Sequence, residues 1–125
     1  MTENELTYAI RGCIFNVYNF LGPGLLESAY ETALEYEMNE VGLKNSRQIP
    51  LPMFYKSIRM DIGYRMDFLV EEKIIIEVKS VEILMSVHHK QLLTYLKLAG
   101  LHLGILVNFN TDVISKSIFR KINGY

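Results

Sequence analysis

The chain has a single cysteine, Cys13, so no disulfide can close within it. Disulfides gather in oxidising compartments, and their absence suits a reducing cytoplasm, the location we expect. Cys13 sits in an apolar helical stretch, which points to a core thiol rather than a nucleophile. Neither sign of charge dominates, the net value being -1. Non-specific coating of nucleic acid calls for a basic surface, so composition gives no support for binding of that bulk kind, although a local basic rim is not excluded. No apolar run approaches bilayer length. The opening MTENELTYAIRG carries early acids and no signal-like apolar core. We therefore expect a soluble chain with no membrane association. There is no Ser- or Gly-rich tract, charge block or internal repeat, so any disordered tail is expected to be confined to the last few residues. Gly22-Pro23-Gly24 lacks the Gly-Lys-Ser/Thr of a phosphate loop and reads as a corner between helices.

What the sequence does hold is a core. Half of its 125 residues are hydrophobic, and that length fits one domain over residues 1–125. Thr2 followed by Glu5 is a capping-box pattern. Leu6, Ile10, Cys13, Ile14, Val17 and Leu21 then recur at helical spacing. A second helix follows the Gly-Pro-Gly corner, with Leu26, Ala29, Tyr30, Ala33, Leu34 and Met38 as its apolar stripe and Gly42 closing it. Tyr30 is expected in the core with its hydroxyl bonded to something polar. From Leu43 the period changes, and strands are predicted near 44–49, 52–56, 61–70 and 73–79. Pro50 and Pro52 place the first of these at an edge or break it. A helix over 86–99, with Ser86 as N-cap and Gly100 after it, precedes a buried strand over 102–109. SKSIFRKI reads equally as a last strand or a helical turn. The order α-α-β-β-β-β-α-β implies a mixed α/β (α+β) domain around one sheet. The strands at 73–79 and 102–109, joined through a helix, should be parallel neighbours.

The stretch MDFLVEEKIIIEVKS sets charges inside what is otherwise sheet interior. If 64–70 and 73–79 form a hairpin, Arg65, Asp67 and Leu69 share one face of the first strand, and Ile75, Glu77 and Lys79 share one face of the second. A three-residue connection at Glu71-Glu72-Lys73 sets Asp67 opposite Glu77. A two-residue connection puts them on opposite faces. Two close carboxylates repel unless a cation intervenes, and hard oxygen ligands suit Mg²⁺ or Mn²⁺. Lys79 would then hold water or stabilise developing negative charge, a set suited to phosphodiester hydrolysis. The plain alternative is an ion pair of Glu77 with Lys79 or Arg65. On the following helix His88, Gln91 and Tyr95 fall on one face, and His88 is a candidate for touching substrate. His89 and His102 read as structural or exposed. Glu27 opens its helix, where a first-turn acid is favoured by the helix dipole alone.

Gly24-Leu25-Leu26-Glu27-Ser28-Ala29-Tyr30 resembles the signature of the GxxExxY proteins. The likeness continues through QIPLPMFYK, DIGYRMDFLVEEKIIIEVKSVE, HHKQLLTYLKLAGLHLGILVNFN and RKING. That family is placed in the PD-(D/E)XK nucleases, whose restriction-endonuclease-like fold is a central mixed sheet flanked by helices. The resemblance implies that Asp67 is the metal-binding Asp, that Glu77 and Lys79 are the (D/E)-x-K, and that Glu27 is the acid from the N-terminal helix. It implies that Gln91 and Tyr95 are polar residues aimed at the site. Met66 stands where the family pattern has proline. The expected protein is then a Mg²⁺- (or Mn²⁺-) dependent nuclease acting on DNA, or on RNA, with Asp67, Glu77, Glu27 and the Val78 carbonyl as metal ligands. The alternative is a catalytically inactive binding module on the same fold. A homodimer spanning a duplex is a further arrangement, with Lys44, Arg47, Lys56, Arg59 and Arg65 as its basic rim.

Overall fold

The computed structural model describes residues 1–124. The expected loose end of the chain includes Tyr125, which lies outside the described residues. The first helix, α1 (Glu3–Leu21), begins as the sequence prescribes. Thr2 Oγ1 accepts the Glu5 N–H at 3.1 Å and Glu5 Oε1 accepts the Thr2 N–H at 3.0 Å, so each satisfies a donor the helix start leaves open. Its buried stripe is Leu6, Ile10, Cys13, Ile14 and Val17. After the corner comes α2 (Glu27–Glu40), which buries Tyr30, Glu31, Leu34 and Met38. The Tyr30 ring stacks on Phe109 with centroids 4.4 Å apart. Its hydroxyl donates to the Gly22 carbonyl at 2.6 Å and accepts the Leu25 N–H at 3.1 Å.

Strands then follow as β1 (Asn45–Pro50), β2 (Met53–Tyr55), β3 (Ile58–Met60), β4 (Arg65–Val70) and β5 (Ile74–Lys79). The third helix, α3 (Ser86–Ala99), leads into β6 (Leu103–Asn108), and a 3₁₀ turn at Ile114–Lys116 into β7 (Ile118–Ile122). The segment that read as strand or turn is thus a turn followed by a strand. The main sheet has five strands in the order β1-β4-β5-β6-β7, and β5 and β6 are its one parallel pair. β1 lies at an edge, as its closing proline requires. The central strands β5 and β6 are buried almost throughout, which a sheet covered on both faces demands. On one face Phe68, Val70, Ile74, Ile76, Ile105 and Val107 pack against α1 and α2. On the other, Ile75 and Leu106 pack against Leu92, Tyr95 and Leu96 of α3. This is a mixed α/β architecture with helices on both sides, consistent with the restriction-endonuclease-like fold.

Three local expectations need correction. The strand read over 61–70 begins only at Arg65, with 61–64 outside any strand, while the strand read near 52–56 is β2, which pairs with β3 in a separate ribbon. The residue before α3 is Met85 rather than Ser86, and the Met85 N–H donates to Nδ1 of His88 at 3.0 Å. His88 is therefore engaged in closing the start of its own helix. His102 also has a structural setting, with Nδ1 3.0 Å from the Glu3 carboxylate.

Candidate functional site

The register of β4 and β5 runs Val70↔Ile74, Leu69↔Ile75, Phe68↔Ile76. Glu71, Glu72 and Lys73 form the connection, with Glu71 and Glu72 in the left-handed region at φ 52° and 56°. One step further along this register Asp67 faces Glu77. Backbone pairing has stopped there, and side chains take its place. Asp67 N–H donates to Glu77 Oε2 at 2.8 Å, and Val78 N–H donates to Asp67 Oδ2 at 2.8 Å. The acids share a face with Leu69 and Ile75, which pack toward α3. Within a strand residue N–H and C=O face the same neighbour, so the Val78 carbonyl opens toward the same gap between β4 and β5.

Burial governs the charge state of this pair. Glu77 is 3% exposed. Burial foremost, and then the Asp67 carboxylate, push its carboxyl well above the usual range. The Asp67 carboxyl is also pushed up, first by burial and further by Glu31 and Glu27, while the Val78 N–H and the Lys79 ammonium pull it back. Two acids competing for charge in one apolar gap titrate as a unit and hold protons that isolated carboxylates would release.

Lys79 is close enough for its charge to act on both acids, and it forms no ion pair among the described residues. Tyr95 lies buried on α3, and its hydroxyl is held protonated by burial and then by Glu77. Gln91, one turn earlier, is half-buried, and its side chain makes no hydrogen bond among the described residues. Glu27 accepts the Ser80 N–H at 3.2 Å, just past the end of β5, and the Ser80 hydroxyl donates to the Leu25 carbonyl at 2.6 Å. Asp67, Glu77, Lys79 and Tyr95 thus converge, Glu27 flanks them, and Gln91 stands at one side. His88 is committed to its cap.

Two neighbours were not foreseen. Glu31, one turn after Glu27, is 6% exposed. Gln48 on β1 lies opposite Asp67, and its Nε2 donates to Glu31 Oε1 at 2.8 Å and Asp67 Oδ1 at 3.3 Å. The Glu27–Glu31 spacing, which sets two acids on one helix face, was the available signal. Arg47 is drawn away from any rim. It lies 3.6 Å from Glu31 and 3.4 Å from Glu35, with its guanidinium over the Phe68 ring.

Among the described residues no three His, Cys, Asp or Glu side chains group closely enough to hold a metal by themselves. The donors in the gap still fit a hard dication. Asp67 and Glu77 offer carboxylate oxygens whose charge is poorly compensated, Glu77 Oε1 takes no hydrogen bond among the described residues, and the Val78 carbonyl faces them. Mg²⁺ keeps several of its waters and needs only one or two carboxylates. No helix among the described residues is long and apolar enough to cross a membrane. A family model described as the PD-(D/E)XK nuclease superfamily matches residues 4–121. Comparison with curated proteins and with solved structures gave no match.

Proposed function

The chain belongs to the PD-(D/E)XK nuclease superfamily, and from that premise we propose that it is a divalent-metal-dependent nuclease hydrolysing phosphodiester bonds of DNA. The observation that carries the proposal is Asp67 facing Glu77 in register, with Lys79 two residues on along the same strand face. Nucleases of this superfamily generally use divalent metals, and Mg²⁺ or Mn²⁺ is the ion that suits these oxygens. Asp67, Glu77 and the Val78 carbonyl would hold it, with Glu27 reaching in from α2. When bound, such an ion polarises a phosphoryl oxygen and lowers the pKa of a coordinated water.

The chain's own residues supply the rest. The Lys79 ammonium, in no ion pair among the described residues, orients the attacking water and stabilises the charge that develops on the phosphate. The Tyr95 hydroxyl and Gln91 amide position a phosphate from the α3 side. The apolar surround of Ile75, Leu92 and Leu106 limits the water that would otherwise screen these charges. We further assign the chain to the GxxExxY group on its Gly24–Tyr30 signature, to a single domain over 1–125 and to the cytoplasm. We also propose a homodimer, since a domain this small has little surface with which to span a duplex.

The test is cleavage of DNA and RNA substrates in Mg²⁺ or Mn²⁺ by the wild type, Asp67→Ala and Lys79→Ala. Metal-dependent cleavage lost in both variants supports the reading. Cleavage that persists in Asp67→Ala assigns it to something else. Nucleic-acid binding by a wild type that cleaves nothing favours the inactive binding module.

A further inference from the structure

We propose that Gln48 is a positioning residue that sets the orientation of Asp67 and couples it to Glu31, the buried acid on α2. The inference rests on the metal-site reading above and extends it to a residue outside the acid pair.

Two independent observations point to Gln48. The first is its backbone. Arg47↔Phe68 and Ile49↔Met66 are paired, but Gln48, which falls opposite Asp67, takes no part in the ladder. It sits at φ 52°, a region that residues other than Gly, Asn and Asp seldom enter. Its freed carbonyl accepts Nη1 of Arg65 at 3.0 Å. Strain of this kind persists only where surrounding contacts hold it, and it gathers at functional sites.

The second observation is where the side chain goes. One nitrogen meets two acids, Glu31 Oε1 at 2.8 Å and Asp67 Oδ1 at 3.3 Å. Facing two carboxylates, the amide must present its NH₂ group, because its oxygen would be repelled by both. The two hydrogens of that group suffice for both contacts. Asp67 is thereby fixed at both oxygens, Oδ2 by the Val78 N–H of β5 and Oδ1 by the Gln48 amide of β1. A neutral donor suits this place. Lysine would bring a charge that competes with a cation, and glutamate would add a third repelling acid. The arrangement is that of a residue that orients a metal ligand without being one.

The experiment uses the full chain and Mn²⁺ alone, with affinity read by electron paramagnetic resonance or calorimetry and folding read by thermal melting. The variants are Gln48→Gly, which keeps the left-handed backbone free of strain while removing the amide, Gln48→Asn, whose shorter arm cannot span both acids, and Asp67→Asn. Removing a partner that orients a ligand lowers metal affinity by roughly 10- to 100-fold. We expect a loss of that order in Gln48→Gly and Gln48→Asn with melting close to wild type, and no further loss when Gln48→Gly is added to Asp67→Asn. Wild-type affinity in Gln48→Gly, with binding abolished in Asp67→Asn, overturns the role of Gln48 and leaves the metal site standing. Undiminished Mn²⁺ binding in Asp67→Asn, or none in the wild type, overturns the site reading and this inference with it.

Discussion

The backbone N–H of Asp67 donates to Oε2 of Glu77 at 2.8 Å, and the N–H following Glu77, that of Val78, returns to Oδ2 of Asp67 at the same distance. The two acids therefore bind each other's strands rather than each other. This crossed arrangement continues the hairpin past the point where its ladder ends, and it gives each carboxylate a hydrogen bond that its burial would otherwise deny. It leaves the electrostatic conflict in place, since neither bond supplies a full positive charge.

That conflict dictates a pH dependence of stability. The folded-state carboxyls are raised, Asp67 from 3.8 to about 6 and Glu77 from 4.5 to about 8. Between the unfolded and folded values the native state holds more protons than the unfolded chain, so its stability falls as pH rises. With metal chelated, urea midpoints should decline from about pH 4 to about pH 8, and the decline should be shallower in Asp67→Asn and Glu77→Gln. Relieved of a buried charge at Asp67 or of the proton uptake that burial imposes at Glu77, the variants should exceed the wild type at neutral pH by about 0.5–2 kcal/mol. A wild-type profile as flat as that of Glu77→Gln would refute the raised values.

Lys79 separates binding from chemistry. It lies on the face of the acids without an ion pair among the described residues, so its removal leaves the oxygen donors in place. Lys79→Met should cut cleavage by roughly 10²–10³-fold, the order expected for losing one stabiliser of developing charge. Mn²⁺ affinity should change far less. Equal losses in both would make Lys79 a determinant of metal binding instead.

Gly104 is where α3 meets the sheet. A methyl group there would lie 2.8 Å from Cδ1 of Leu92, and Leu92 is fully buried one residue past Gln91. Gly104→Ala must move Leu92 or the helix that carries it, at a cost of about 1–3 kcal/mol. Chemical denaturation measures the cost. Since Tyr95 rides on the same helix, cleavage should fall more steeply than the folded fraction does.

The acid pair was legible in the sequence because it depends on local parity. Three connecting residues between two alternating strands force Asp67 and Glu77 onto one face, and the observed register agrees. Tyr30 and Cys13 were legible for a similar reason, each belonging to an apolar stripe at helical spacing. Gln48 and Glu31 were not. Their meeting requires α2 and the edge strand β1 to converge on β4, and no periodicity encodes a contact made across three separate elements. β2 falls within the strand expected near 52–56, but its partner β3 escaped because Lys56 and Ser57 turn the chain without a glycine, Lys56 itself taking φ 57°. The strand read over 61–70 starts late because Gly63, at φ 92°, breaks the extended run ahead of Arg65. His88 looked available because it shares a face with Gln91 and Tyr95, but at the first turn of a helix its ring reaches back to an open backbone donor.

Tyr30 links the corner before α2 to the site. Its hydroxyl holds both the Gly22 carbonyl and the Leu25 N–H, and the Leu25 carbonyl in turn accepts the Ser80 hydroxyl beside the contact between Glu27 and Ser80. Tyr30→Phe keeps the ring and its stack on Phe109 but leaves two backbone groups without partners, which should cost about 1–3 kcal/mol. The cost should be local. Hydrogen exchange at the amides of Leu25 and Ser80 should speed up in the variant, while the amides of β6 remain protected. Cleavage should drop if Glu27 works from this corner, and adding Glu27→Gln should then produce little further loss. Unchanged protection at Leu25 would mean that packing, rather than the hydroxyl, holds the corner in place.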